Sequence, residues 1–349
     1  MDNHQYLFDD GPLRVRVLHI HGRRPTPPPP TYGKNKAAIA AERIAASIRL
    51  PPKNLMIAAP EDAGAYPVLF IYHGFLLLNQ HYSQLLQHVA SHGYIVIAPQ
   101  IYVVAGADAT QEIADAAAII NWLPEGLADI LSEHVGPVLP RLDKLALAGH
   151  SRGAKTAFGL ALGLSEVALN ISAIAGLDPV DGMDVNRQTT PPILKFSEHC
   201  FGLHLPILII GAGLGSLKRN ALFPPCAPEG VSHRAFFSDC SDPAFYFVAT
   251  EHGHMDFLDD QTHGFRGKLS YCTCRNGPSR GPMRRFSGGI LVAFLQAALH
   301  CESKALQHFI DNPSHAPVKL EKPKWYIVSS TTEASSNCPD LSEVFVERS

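Results

Sequence analysis

Near the middle of the chain, Gly149-His150-Ser151-Arg152-Gly153 has the spacing Gly-x-Ser-x-Gly, in which a serine hydroxyl is raised on a sharp turn between a strand and a helix. The apolar run Leu145 to Ala148 before it reads as that strand, and the small residues after it, Ala154 and Ala157 among them, read as a helix packed close against it. Glycines on either side of the serine remove the Cβ atoms that would hold strand and helix apart. Without those flanks the pentapeptide would read equally well as a plain turn with a solvent-facing serine; with them, Ser151 is the candidate nucleophile.

A serine hydroxyl attacks slowly until a base takes its proton, and the base needs an acid to orient it. Asp178 follows the apolar run Ile171 to Gly176, with Pro179 directly behind it, so a carboxylate falls at the carboxyl end of a strand. Asp181 and Asp184 lie deeper in a polar loop, and Asp239 and Asp242 follow no strong strand. For the base, Glu251-His252-Gly253-His254-Met255-Asp256 comes after the strand candidate Tyr246 to Ala249 and offers both His252 and His254. The order Ser151, Asp178, His254 is the usual one for a serine on such an elbow, and Gly253 gives His254 freedom to turn. The oxyanion of a tetrahedral intermediate needs two backbone N–H donors. Arg152, next after the serine, supplies one, and Phe75, in the His73-Gly74-Phe75 loop after the strand Val68 to Tyr72, supplies the other.

These groups need a scaffold, and the chain alternates short apolar strands with helices. Strands are expected at Val68 to Tyr72, Ile95 to Ala98, Leu145 to Ala148, Ile171 to Gly176, Ile207 to Ile210 and Tyr246 to Ala249. Helices are expected at Gln84 to Ser91, Thr110 to Trp122, Ala154 to Leu164 and Gly288 to Leu299. Such alternation predicts a mostly parallel sheet covered on both faces, with the site at the strands' carboxyl ends. The chain divides into three parts. Residues 1–50 hold an alternating edge strand (Leu13 to Ile20), a Pro-rich linker (Pro25 to Pro30) and a short Ala-rich helix from Lys34 to Leu50; 51–311 form the catalytic domain; 312–349 form a tail, mobile in part, in which Lys324 to Val328 adds an edge strand.

Composition narrows the function. The 349 residues are 46% hydrophobic and 17% charged, an ordinary globular balance, and a net charge of -3 with scattered Lys and Arg gives nothing for nucleic acid to bind. No apolar run approaches the roughly 18 to 20 residues needed to cross a bilayer, so membrane contact is expected to be peripheral. The N-terminus has no secretory pattern and is too acidic for an ordinary transit peptide. Seven cysteines, an odd number spread over a long chain, read as mostly reduced and non-catalytic; Cys272 and Cys274 are the only close pair and lack the companions of a metal site. No metal or cofactor site is expected, and Gly211-Ala212-Gly213-Leu214-Gly215 reads as a turn rather than a dinucleotide loop.

Several stretches together resemble the plant chlorophyllases: Phe70 to Phe75 (FIYHGF), Gln87 to Pro99 (QHVASHGYIVIAP), Gly149 to Gly153 with Arg after the serine, and Leu177 to Val180 (LDPV). The likeness continues through Leu222 to Pro228 (LFPPCAP), Gly253 to Asp260 (GHMDFLDD) and Arg284 to Leu295, covering about Asn54 to His300. It implies an α/β-hydrolase fold, a Ser, Asp, His triad at Ser151, Asp178 and His254, and hydrolysis of chlorophyll's phytyl ester to chlorophyllide and phytol. Magnesium would belong to the substrate, not the protein. The resemblance favours an intracellular site, with the chloroplast first and cytosol or an endomembrane surface as alternatives. The resemblance does not extend to Arg24 to Leu50, and Glu251-His252 stands where an acid and an aromatic are expected. The residues by themselves reach only an ester hydrolase for an apolar ester. A general carboxylesterase, a lipase like platelet-activating-factor acetylhydrolase, and a catalytically silent apolar-ligand binder stand as alternatives. Apolar residues in Tyr102 to Ala109, Gly202 to Leu205 and Leu214 to Pro228 are expected to rim the site, with Leu222 and Phe223 as substrate contacts or, alternatively, as core residues.

Overall fold

The computed structural model describes residues 4–23 and 50–327. The Pro-rich stretch, nearly all of the helix expected over 34–50, and the tail after residue 327 lie outside the described residues.

Side chains alternate across a strand, and here both sets are apolar. Leu69 and Ile71 enter one buried cluster while Val68 and Phe70 enter another, and Ala146 and Ala148 divide from Leu145 and Leu147 in the same way. Strands apolar on both sides must be covered on both sides. Nine strands form one sheet: β1 (Val15–Ile20), β2 (Leu55–Pro60), β3 (Gly64–Tyr72), β4 (Ile95–Pro99), β5 (Val138–His150), β6 (Ile171–Leu177), β7 (Ile207–Ala212), β8 (Ala244–Ala249) and β9 (Lys324–Tyr326). Their spatial order is β1-β2-β4-β3-β5-β6-β7-β8-β9. Six central strands, β4 to β8 through β3, run parallel, and β1, β2 and β9 add antiparallel edges.

Helices α1 (Ser83–Ser91), α6 (Arg280–His300) and α7 (Lys304–Asp311) cover one face; α2 (Thr110–His134), α3 (Arg152–Ala161) and the short α4 (His233–Asp239) cover the other. Helix α5 (Gly264–Cys272) lies in the connection after β8. This is the α/β-hydrolase arrangement, with β5 central and its carboxyl end at Ser151.

Within the described residues the expected strands and helices are present, and several are longer or additional. Helix α2 passes through Pro124 to His134 instead of stopping at Trp122. A proline costs a helix interior about 3 kcal/mol. Leu123, Leu127, Ile130 and Leu131 beyond Trp122 are all buried against the sheet, each worth about 1.5–3 kcal/mol. Burial wins, and Pro124 faces solvent.

The long connection from β6 to β7 is pinned by one buried ion pair. Lys155 on α3 and Asp181 are both fully buried and in contact, and Lys155 also donates to the Pro191 carbonyl. Asp181 accepts in addition from the amides of Ile193 and Leu194 at 2.8 and 2.9 Å and from Gln188 at 2.7 Å. Burial pulls the Lys155 ammonium below its ordinary pKa, against the pull of Asp181. Removing one member strands the other's charge. Lys155→Ala is expected to cost about 3 kcal/mol of stability, read as a shift in the chemical-denaturation midpoint; a change under about 0.5 kcal/mol would show that the pair does not hold this loop.

Candidate active site

Where β5 meets α3 the chain turns within one residue. Ser151 is held at φ 56° and ψ -122°, outside the conformations that a side chain favours. Neither flank tolerates a Cβ: at 149 it would stand 2.2 Å from the Gly153 carbonyl carbon, and at 153 it would stand 2.2 Å from the Tyr72 oxygen. Helix α3 therefore rests directly on β3 and β5. The Ser151 amide donates to Leu177 O at 3.0 Å and its carbonyl accepts from Val180, which ties the turn to the end of β6.

Asp178 and His254 arrive from the ends of β6 and β8. His254 Nδ1 donates to Asp178 Oδ2 at 2.6 Å, leaving Nε2 to accept from the Ser151 hydroxyl at 2.8 Å. Asp178 is fully buried, at φ 43°, with Oδ1 accepting from the Ala212 amide at 3.0 Å. Burial opposes its ionisation, but the hydrogen bond and charge of His254, with His233 and the Ala212 amide, hold the carboxyl below its ordinary pKa. A carboxylate that stays ionised fixes the imidazole's tautomer and stabilises its charged form, so a proton can leave Ser151 Oγ for Nε2.

The competing residues are engaged elsewhere. Asp181 holds Lys155, Asp184 pairs with Arg187, and Asp239 accepts from the Lys195, Phe196 and Ser197 amides. His252 points its Nδ1 toward Asp256 Oδ2 at 3.7 Å, while it is His254 that meets the serine.

A second buried network joins the parts of the site, and neither of its central members was singled out in the sequence. His150 Nε2 donates to the His254 carbonyl at 2.8 Å, and His150 Nδ1 accepts from the Tyr82 hydroxyl at 2.7 Å. That hydroxyl accepts from the Gly74 amide at 3.0 Å. One chain of bonds thus connects the loop after β3, the elbow and the loop that carries His254. Burial, then the neighbouring His254, lowers the His150 pKa to about 3, so its ring is neutral at physiological pH and one nitrogen is free to accept. The signal was partly present: His150 lies inside the motif itself. Asp256 secures the same loop by accepting from Gly253 and Gly277 amides at 2.7 and 2.6 Å.

Gly74, directly before Phe75, fits tightly beside the elbow, with a Cβ there only 3.2 Å from Ser151 Cβ. Arg152 follows Ser151 as the first residue of α3, whose N-terminus favours negative charge. Its side chain is buried and does separate work: the guanidinium donates to Glu112 at 2.8 and 2.6 Å and to the Gly106 and Asp108 carbonyls at 2.7 and 3.1 Å. It also lies beneath the rings of Phe75 and Tyr102, 5.8 and 5.7 Å from their centroids. The 102–109 loop is thereby fastened beside the elbow. A cavity of about 580 Å³ flanks that loop, bounded by Gln100, Tyr102, Glu112 and Asp115, and none of Ser151, Asp178 or His254 lines it.

Leu222 and Phe223 are 86% and 38% exposed, so they are surface residues and not core. Gly202 to Leu205 is a correction: it leads into the amino end of β7, opposite the site, and Leu203 is buried. The cysteines are a second correction. Cys226 and Cys274 form a disulfide across 48 residues of sequence, and Cys301 is also disulfide-bonded. Cys200, Cys240 and Cys272 are free thiols. Spacing could not reveal a pair that only folding brings together. Among the described residues no cluster of His, Cys, Asp and Glu is placed to hold a metal ion.

A serine on a strained elbow at the carboxyl end of β5, hydrogen-bonded to a histidine and an aspartate in that order, defines the class as a serine hydrolase of the α/β-hydrolase fold. The chlorophyllase family model matches residues 6–326. The chain is 50% identical over 282 residues to chlorophyllase-2 of Arabidopsis thaliana, covering 80% of this chain and 87% of that protein. It is 41% identical to chlorophyllase-1 of the same plant over 78% of this chain and 84% of that one. With the chloroplastic chlorophyllase-1 of Citrus unshiu the identity is 39%, over 84% and 86% of the two chains. The chain belongs to the chlorophyllase family.

The Tyr82 hydroxyl is the link most easily removed without changing shape. Tyr82→Phe leaves the Gly74 amide and His150 Nδ1 unpaired, and kcat for an ester is expected to fall about tenfold with KM nearly unchanged, since a lost buried hydrogen bond costs about 1–3 kcal/mol. An unaltered kcat would show that the network does not position the site.

Proposed function

We propose that this protein is a carboxylic ester hydrolase that cleaves the phytyl ester of chlorophyll, with Ser151 as nucleophile, His254 as base and Asp178 as its orienting acid. The observation that carries the reading is the hydrogen-bond chain from Ser151 through His254 to Asp178, in a chain of the chlorophyllase family. His254 Nε2 takes the Ser151 proton as Oγ adds to the ester carbonyl, and the Phe75 and Arg152 amides receive the oxyanion. As the tetrahedral intermediate collapses, the bond to phytol breaks and His254 gives its proton to the departing oxygen. The chlorophyllide acyl group remains on Ser151. Water, deprotonated by His254, then adds to the acyl carbon and releases the chlorophyllide carboxylate and the serine hydroxyl. The chemistry needs no cofactor of the protein's own.

Leu222 and Phe223 are proposed to receive the phytyl chain, whose burial takes large apolar surface out of water. The compartment proposed is the chloroplast, by analogy with the Citrus relatives, whose names carry that location. A general carboxylesterase would use the same three residues and is separated by substrate preference.

Ser151→Ala is expected to abolish turnover of chlorophyll, because triad members act as a unit; hydrolysis surviving near the wild-type rate would sink the mechanism. Should short acyl esters give a far higher kcat/KM than chlorophyll, the pigment assignment falls and the general esterase stands. Replacing Leu222 and Phe223 together by Ser is expected to raise KM for chlorophyll about tenfold or more while sparing a small water-soluble ester, given about 0.8 kcal/mol per buried methylene. No effect on either substrate would remove both residues from the site.

A further inference from the structure

Most of the large apolar side chains exposed among the described residues lie in the carboxyl-end loops, and two of those loops carry cations and no carboxylate. Residues 214–228 carry Lys218 and Arg219 with no Asp or Glu, and residues 262–276 carry Arg266, Lys268 and Arg275 with no Asp or Glu, in a chain whose net charge is -3. Lys218, Arg219, Lys268 and Arg275 are exposed. Among them stand Leu217, Leu222, Phe265 and Tyr271, exposed by 49%, 86%, 78% and 37%. The nearest carboxylate before the second segment, Asp260, is already paired with Arg284 at 2.7 and 2.9 Å, and Glu229 lies just past the end of the first.

The two segments form one rigid ledge. The Cys226–Cys274 disulfide joins them, and the Arg219 guanidinium donates to the Tyr271 carbonyl. Arg266 donates to the Val103 carbonyl, attaching the ledge to the loop that Arg152 clamps, where Val103 and Val104 are 54% and 78% exposed. The ledge also abuts the loop of His254, since Leu214 N donates to His252 O at 2.9 Å.

Large apolar side chains in water are costly unless something covers them, and cations interleaved with them select what that is. We propose that this ledge docks on an anionic lipid bilayer, with Phe265 and its neighbours entering the headgroup boundary and Lys218, Lys268 and the arginines facing the lipid charges. The inference rests on the reading of the substrate as an ester held in lipid: docking there would set the site mouth against the bilayer from which the phytyl chain must come. No described helix is long and apolar enough to span a membrane, so attachment is at the surface.

The test is flotation of the full chain with pigment-free vesicles of phosphatidylcholine, alone or with about one-third phosphatidylglycerol. Binding to the anionic vesicles is expected to exceed that to neutral ones by about tenfold or more, and to fall as salt screens the charges. The double substitution Lys218→Glu and Lys268→Glu should abolish that preference, Phe265→Ser should weaken binding to both vesicles, and all three changes should leave turnover of a water-soluble ester intact. Equal binding to both vesicle types, or binding indifferent to the charge reversals, overturns the proposal. So does self-association of the chain in lipid-free solution that Phe265→Ser abolishes, because a second copy would then be what covers the ledge. The vesicles hold no pigment, so failure here leaves hydrolysis of detergent-dispersed chlorophyll untouched, and the two readings fail separately.

Discussion

The contact of α3 with β3 and β5 through two residues that lack a Cβ is the constraint on which the site depends. It lets the helix begin one residue after the strand ends, and that shortness forces Ser151 into its positive-φ conformation. The strain, of order 1–3 kcal/mol for such a residue, persists only because the neighbours over-determine it. Here those neighbours are the hydrogen bonds from Ser151 to Leu177 and Val180, and the buried central strands behind them. A serine so placed presents its hydroxyl at the carboxyl end of β5, at the start of a helix.

The polar groups that orient the triad are buried and partnered. Asp178 is held ionised by donors on both its oxygens, and His150 is held neutral by burial between a hydroxyl and a carbonyl. His73 is kept neutral in the same way, with its pKa lowered to about 4 by burial, and its Nε2 accepts from the Ile101 amide at the foot of the 102–109 loop. Neutral imidazoles here serve as struts between backbone segments. Buried charge stands instead in the Asp178–His254 pair that moves a proton, in the Arg152–Glu112 pair that holds the entrance loop and in the Lys155–Asp181 pair that pins the connection after β6. Such sites are sensitive to single deletions because each unmatched buried group costs more than its bond was worth.

What could be read from the sequence was what is local. Gly149 to Gly153 lies in five consecutive residues, and the strand before it is all apolar, so the elbow was visible in a single line of text. Asp178 and His254 were legible through their positions after strands, and in the structure His254 meets Ser151 while Asp178 holds His254 from behind. The strut from His150 to Tyr82 spans 68 residues and that from His150 to the His254 carbonyl spans 104, so no spacing rule could have found them. The disulfide was missed for the same reason. The helix expected over Thr110 to Trp122 runs on through Pro124 to His134 because the apolar face on both sides of the proline outweighs one lost backbone bond. Leu55–Pro60 escaped notice as a strand, although it is buried throughout between β1 and β4, because it ends in a proline and has no helix after it to mark the repeat.

The central claim is that Ser151 is an activated nucleophile and that His254 activates it. It is tested most directly by the rate at which a fluorophosphonate probe labels the folded protein, with the modified residue located by peptide mass spectrometry. The account expects one modification, on Ser151, and a labelling rate that falls by roughly three to four orders of magnitude in His254→Gln. Labelling at another residue, or labelling of Ser151 at an unchanged rate without His254, would contradict it.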